Sequence, residues 1–129
     1  MNKTILITGS ILGVLGIILG AFAAHGLEKL IDKNAIESFE TGVRYQLYHA
    51  FFLLIIGGTN FLKEKTKKEI FYLVLIGLIF FSGSIYGLST NSLTNFDIKT
   101  IAIVTPFGGM LLILAWVLML IGIIRSKVD

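Results

Sequence analysis

The sequence predicts an all-α fold: a four-helix transmembrane bundle with an amphipathic, extramembrane helical extension before the second span. Three observations predict it. Mean hydropathy is +0.87, with 55% hydrophobic and only 15% charged residues, where a soluble domain carries roughly 25% charged. The charges are also segregated. All of them fall at 1–3, 28–44, 63–69, 97–99 and 125–129, leaving four uncharged runs of 24, 18, 27 and 25 residues. A soluble helix or strand must wet one face, so its charges would be interleaved. Finally, the runs match the roughly 20 residues that a helix needs to cross a bilayer core, and barrel strands do not produce 18-residue uncharged stretches. The pattern excludes a soluble globular domain, a disordered chain and a nucleic-acid binder. The chain forms a single membrane domain, 1–129, with spans near 5–24, 45–62, 70–88 and 101–124.

Span one carries Gly9, Gly13, Gly16 and Gly20. Their 4, 3, 4 spacing puts them on one helix face, where missing side chains let another helix approach closely. Lys3, the apolar run and Ala21-Phe22-Ala23 also resemble a cleavable signal peptide. The run's length and its patterned glycines favour a retained span.

Residues 28–44 are more than a loop. Asn34 and Glu37 read as a capping pair at N-cap and N3. Ile36, Phe39, Val43, Leu47, Ala50 and Leu54 then recur at helical spacing, which predicts one helix over 35–62 whose first turns lie outside the hydrocarbon. Glu37, Glu40, Thr41, Arg44 and Tyr48 share a polar face, while Ser38, Gly42, Tyr45 and His49 lie on another side. Glu40 and Arg44 stand i,i+4 in the favourable order, worth roughly 0.3–0.5 kcal/mol when exposed.

Residues 63–69 form a short, charged connector. Span three holds Gly83 and Gly87, another small pair, and a polar turn follows over 89–95. Span four holds the only proline. Thr105 as N-cap with Pro106 at N1 is one reading. A helix starting near Ile101 and kinked at Pro106 is the other. Gly108-Gly109 follows directly, so the kink, tucked into the bundle, is preferred, because a free carbonyl facing lipid is costly.

Four spans put both termini and the 63–69 connector on one side, with seven Lys/Arg there against four on the other. The positive-inside rule then makes the termini cytoplasmic. Cysteine is absent, so disulfides and thiolate metal sites are excluded. No charged residue lies inside a predicted span, which argues against a carboxylate-driven carrier.

Polar groups instead gather at the predicted outer interface: His25, Glu40, Arg44, Tyr45, Tyr48, His49, Tyr86 and Thr105. One reading is structural: interfacial tyrosines, His25 capping span one, and a solvated Glu40–Arg44 pair. A second is a shallow binding site for a lipid headgroup, quinone or small anion, with Arg44 as bidentate fork and His25 and His49 able to exchange protons. A third is bis-histidine haem ligation by His25 and His49. A zinc site would need a third ligand, Glu28 or Glu40. The sequence favours no cofactor, no metal and no enzymatic nucleophile. It points to a non-enzymatic ligand- or lipid-binding or assembly component in contact with the bilayer, possible as a homo-oligomer or with a membrane-protein partner. A membrane redox or transfer enzyme is the alternative.

The stretches Gly20-Ala21-Phe22-Ala23-Ala24-His25-Gly26-Leu27, Phe39-Glu40-Thr41-Gly42-Val43-Arg44-Tyr45-Gln46-Leu47-Tyr48-His49-Ala50, Gly83-Ser84-Ile85-Tyr86 and Thr105-Pro106-Phe107-Gly108-Gly109, with Trp116, resemble the "domain of unknown function 423" family of small four-span membrane proteins. The resemblance covers essentially the whole chain. It implies a multi-pass protein of the bacterial inner membrane with a retained first span, and it carries no activity to transfer. One departure is Ala23, where the family pattern has glycine.

Overall fold

The computed structural model describes residues 1–94 and 99–127. The charged island at 97–99, apart from the backbone of Lys99, lies outside the described residues, as do the end of the 89–95 turn and Asp129. All regular structure among the described residues is helical. Helix α1 spans Asn2–His25, followed by a 3-10 turn at Leu27–Lys29. Helix α2 spans Lys33–Gly58 and α3 spans Glu64–Leu78. A π-helical turn, Ile79–Gly83, runs straight into α4, Ser84–Ser89. Short 3-10 turns at Asn91–Leu93 and Lys99–Ile103 precede α5, Val104–Arg125.

Three stretches are long and apolar enough to cross a membrane: Asn2–Lys29, Glu64–Ser89 and Thr100–Arg125. Helix α2 is equally long but more polar, because its first half carries the charges of the 28–44 island and its middle carries Gln46 and His49.

Both ends of α2 differ from expectation. The N-cap is Asp32, whose backbone is extended and whose carboxylate accepts from the N–H of Ala35 at 2.8 Å. Asn34 is already helical, so it cannot act as the cap. The helix stops at Gly58, four residues short of Leu62. Lys67 pins the turn that follows: its Nζ donates to the carbonyl of Thr59 at 2.5 Å and to Asn2 Oδ1 at 3.3 Å, with Glu64 Oε1 at 3.6 Å. Lys67 is 1% exposed, although its neighbours read as a solvated connector. One ammonium thus ties the start of α1, the end of α2 and the first turn of α3 together.

In span four the helical stretch starts near Ile101, as in the second reading, but its first turns are 3-10. The 3-10 turn leads into α5 at Val104, and Ile103 is the N-cap. Pro106 therefore follows the switch from 3-10 to α-helix, where its fixed φ suits the helical backbone and it offers no N–H to the turn before it. Thr105 is not a cap; its hydroxyl bonds to Ser84 Oγ on α4.

Helix α2 is the centre of the arrangement. Helix α1 packs along one side of it and touches little else. The α3–π–α4 rod and α5 pack against each other on the other side. The larger core joins Ile5, Phe52, Leu53, Ile56, Ile70, Val74, Leu112 and Ala115; a smaller one holds Ala23, Leu27, Phe39 and Val43. The outward faces of α1 and α5 are almost wholly apolar: Ile11, Val14, Ile17 and Ile18 on one, Ile113, Leu114, Leu120 and Ile124 on the other are exposed.

Glycines mark the close approaches. A side chain on Gly9 would lie 3.0 Å from the carbonyl oxygen of Ala50, and one on Gly16 would lie 2.7 Å from Leu47 Cδ2. Gly20 makes only ordinary contact with Val43, and Gly13 faces open space. Between α3 and α5, Gly108 abuts the backbone of Phe81 in the π turn and the carbonyl of Gly77. Gly109 is looser, and Gly83 faces open space. Gly42 accommodates the ring of Tyr86.

Candidate functional site

The packing register fixes the depth of each polar group. Helices α1 and α2 run antiparallel, with Gly20 against Val43, Gly16 against Leu47 and Gly9 against Ala50, Leu53 and Leu54. Extended, this register sets His25 level with about residue 38 of α2. His49 lies some eleven residues further on, roughly 16 Å along the axis. The expectation that both histidines share one layer is therefore overturned. His25 is exposed at the end of α1, whereas His49 is buried, level with the middle of α1 and of α5.

The surroundings of His49 define its chemistry. Its Nδ1 lies 2.7 Å from the carbonyl oxygen of Tyr45, and its Nε2 lies 3.0 Å from Trp116 Nε1. A carbonyl only accepts, so Nδ1 carries the proton. An indole N–H only donates, so Nε2 presents its lone pair. Both bonds require the same neutral tautomer. Phe52 stacks on Trp116 at 4.2 Å, completing the joint between α2 and α5. With Nε2 engaged and His25 far away, bis-histidine ligation does not fit. Zinc does not fit either: among the described residues no three His, Cys, Asp or Glu side chains converge on a metal position.

A second set of bonds crosses the bundle at similar depth. Tyr86 Oη donates to Gln46 Oε1 at 2.7 Å, and Gln46 Nε2 donates to the carbonyl of Leu12 at 2.9 Å. Ser82 Oγ, within the π turn, donates to the carbonyl of Gly42 at 2.8 Å. This relay links α4, α2 and α1, and the Ser84–Thr105 pair adds α5. Gln46, Ser82, Ser84 and Trp116 were not among the expected site residues. A glutamine inside an uncharged run was the available signal, since buried amides in membrane helices bond across interfaces.

Of the other expected residues, Arg44, Tyr45 and Tyr48 are exposed and Glu40 is half-buried. Arg44 Nη2 donates to Thr41 Oγ1 at 2.9 Å, and among the described residues the ion pairs are Lys65–Glu69 and Lys67–Glu64. The expected Glu40–Arg44 pair is therefore not formed, because the nearer Thr41 hydroxyl takes the guanidinium. Arg44, Tyr48, Phe51 and Ile55 form an exposed stripe down α2. Beside this stripe, two outward-open grooves of about 520 and 270 Å³ flank the His49–Trp116 joint. Tyr45, Tyr48, Phe51, Phe52 and Trp116 line the larger one.

The model of the family described as "Protein of unknown function (DUF423)" matches residues 19–109. The UPF0382 membrane protein SSP2132 of Staphylococcus saprophyticus is 33% identical over 93% of this chain and 96% of its own length. The UPF0382 membrane protein YwdK of Bacillus subtilis is 33% identical over 95% and 98%. The UPF0382 inner membrane protein YgdD of Escherichia coli is 33% identical over 98% and 93%. No solved structure matches the chain. The all-α fold, the three long apolar helices and these matches agree: the chain belongs to the DUF423 family and is a membrane protein.

Proposed function

We propose that this protein is a non-enzymatic, multi-pass component of the bacterial inner membrane, with four spans and cytoplasmic termini, that binds a lipid-like amphiphile along α2. The observation that carries the reading is the continuity of the exposed stripe with the groove. Arg44 stands at its head, and Tyr48, Phe51, Ile55 and Trp116 run below it. By the α1–α2 register Arg44 lies about six residues, roughly 9 Å, deeper than the end of α1. A guanidinium at that depth reaches toward the interface and favours an anionic head, while the aromatic wall favours an apolar chain.

His49 and Trp116 act as the floor of the groove. They hold α2 and α5 at the spacing that keeps it open, and their bonds leave His49 no free nitrogen for chemistry. The Lys/Arg asymmetry between the two ends supports the orientation.

Native mass spectrometry of the protein extracted from lipid tests the reading. We expect one amphiphile per chain to survive delipidation, and Arg44→Gln to reduce its retention about tenfold with helicity unchanged. Equal retention by Arg44→Gln and wild type would contradict it. A mass corresponding to chain dimers with no bound lipid would move the stripe from ligand binding to assembly.

A further inference from the structure

At the end of the bundle opposite Arg44, where α3 begins and α5 ends, Lys63, Lys65 and Arg125 surround a cleft of about 340 Å³. Glu69 is the one acidic side chain on its wall, and it stands 4.0 Å from Lys65. The floor is apolar: Phe61, Leu118 and Ile121 continue onto the outward face of α5. Gly122 also lines the cleft and lets Leu62, in the turn between α2 and α3, close onto α5 beside it, since a side chain there would meet Leu62 Cδ2 at 2.5 Å. Two of the three cations lack a counter-charge: Lys63 and Arg125 have no carboxylate within ion-pair distance among the described residues.

We infer that this cleft is a binding site for the headgroup of an anionic phospholipid. A phosphodiester between Lys63, Lys65 and Arg125 meets three donors, with the Arg125 guanidinium able to hold two of its oxygens. The acyl chains then leave over Phe61, Leu118 and Ile121 into the bilayer. A free phosphate would use the same cations but would gain nothing from the apolar floor. Basic pockets between membrane helices commonly take lipid phosphates, each Lys or Arg contributing about a fivefold gain in association. The site shares no residue with the α2 groove, so it stands or falls separately.

The test is electron paramagnetic resonance of spin-labelled phosphatidylglycerol and phosphatidylcholine around the full chain reconstituted in bilayers. We expect wild type to prefer phosphatidylglycerol. Lys63→Gln, Lys65→Gln and Arg125→Gln should each reduce that preference up to about fivefold, and Glu69→Gln should raise it by a similar factor. Arg44→Gln, at the other end, should leave it unchanged. These positions are exposed, so folding is retained, and the gain expected from Glu69→Gln cannot arise from misfolding. Equal association of the two lipids with wild type, or a preference unaltered by all four cleft variants, would overturn the site. Displacement of the labelled phosphatidylglycerol by millimolar inorganic phosphate would overturn the lipid and leave a plain anion site.

Discussion

At the α3–α5 crossing, Gly108 rests against main chain: the amide of Phe81 and the carbonyl of Gly77, where a side chain would stand 2.7 Å from that oxygen. At the α1–α2 crossing, Gly16 rests against the far end of the Leu47 side chain. Both crossings rely on glycine, but Gly16 faces a side chain that can step aside, whereas Gly108 faces main chain, and more tightly than Gly9 faces the Ala50 carbonyl oxygen at 3.0 Å. The π turn Ile79–Gly83 lies at that first crossing, and its widened backbone brings Phe81 onto α5. In lipid, where apolar burial adds little to helix association, this close van der Waals packing carries the contact. The second crossing is closed by a polar bond instead, from Gln46 to the Leu12 carbonyl. The lesson is that a small-residue pattern locates a face, while the opposing atoms decide what a glycine is worth.

The largest effect should follow from striking the rigid crossing. Gly108→Ala is expected to cost about 3 kcal/mol or more, because backbone must shift to admit the methyl group. Thermal unfolding in detergent reads this as a fall of many degrees; a variant as stable as wild type would remove the distinction between the crossings. Next comes Gln46→Leu, which breaks the relay and leaves the Tyr86 hydroxyl without its acceptor. Two interhelical bonds in a membrane protein are worth about 1–2 kcal/mol together. The loss should shrink in the double variant Gln46→Leu with Tyr86→Phe, since no unpaired hydroxyl remains.

Smallest are Gly16 and Gly13 of α1. Gly16→Ala should cost about 1 kcal/mol or less, because Leu47 can adopt another rotamer. Gly13→Ala should cost nothing and can gain up to about 1 kcal/mol in helix propensity, since nothing lies within reach of its side chain. If Gly13→Ala instead weakened the protein in bilayers but not in detergent, that face would be packing against a second copy.

Much of the fold was legible because membrane helices announce themselves as uncharged runs. Helix α1, the α3–π–α4 rod and α5 fall where those runs lie. The register of α2 was not legible. It is set by the contacts of Gly20, Gly16 and Gly9 with Val43, Leu47 and Ala50, and the stop of the helix at Gly58 is pinned by Lys67, a residue whose sequence surroundings are those of a solvated loop. In that register His49 sinks to mid-bundle and parts from His25, and the single polar layer inferred from sequence separates into an inner relay and an outer stripe. The π turn carries no sequence signature of its own; Phe80-Phe81-Ser82-Gly83 reads equally well as α-helix. Glu40 and Arg44 had the spacing of an ion pair, but spacing does not reveal a competing acceptor such as Thr41.

Trp116 is the only tryptophan and forms part of the groove wall, which makes it a built-in reporter. The most direct test titrates the purified protein with a long-chain phosphate amphiphile carrying bromine in mid-chain, and follows quenching of Trp116 emission. A ligand held along α2 with its head at Arg44 predicts saturable quenching, about tenfold weaker in Arg44→Gln, and less quenching when the bromine sits beside the headgroup. Quenching that rises linearly with amphiphile and is identical in wild type and Arg44→Gln would contradict a bound ligand in the α2–α5 groove.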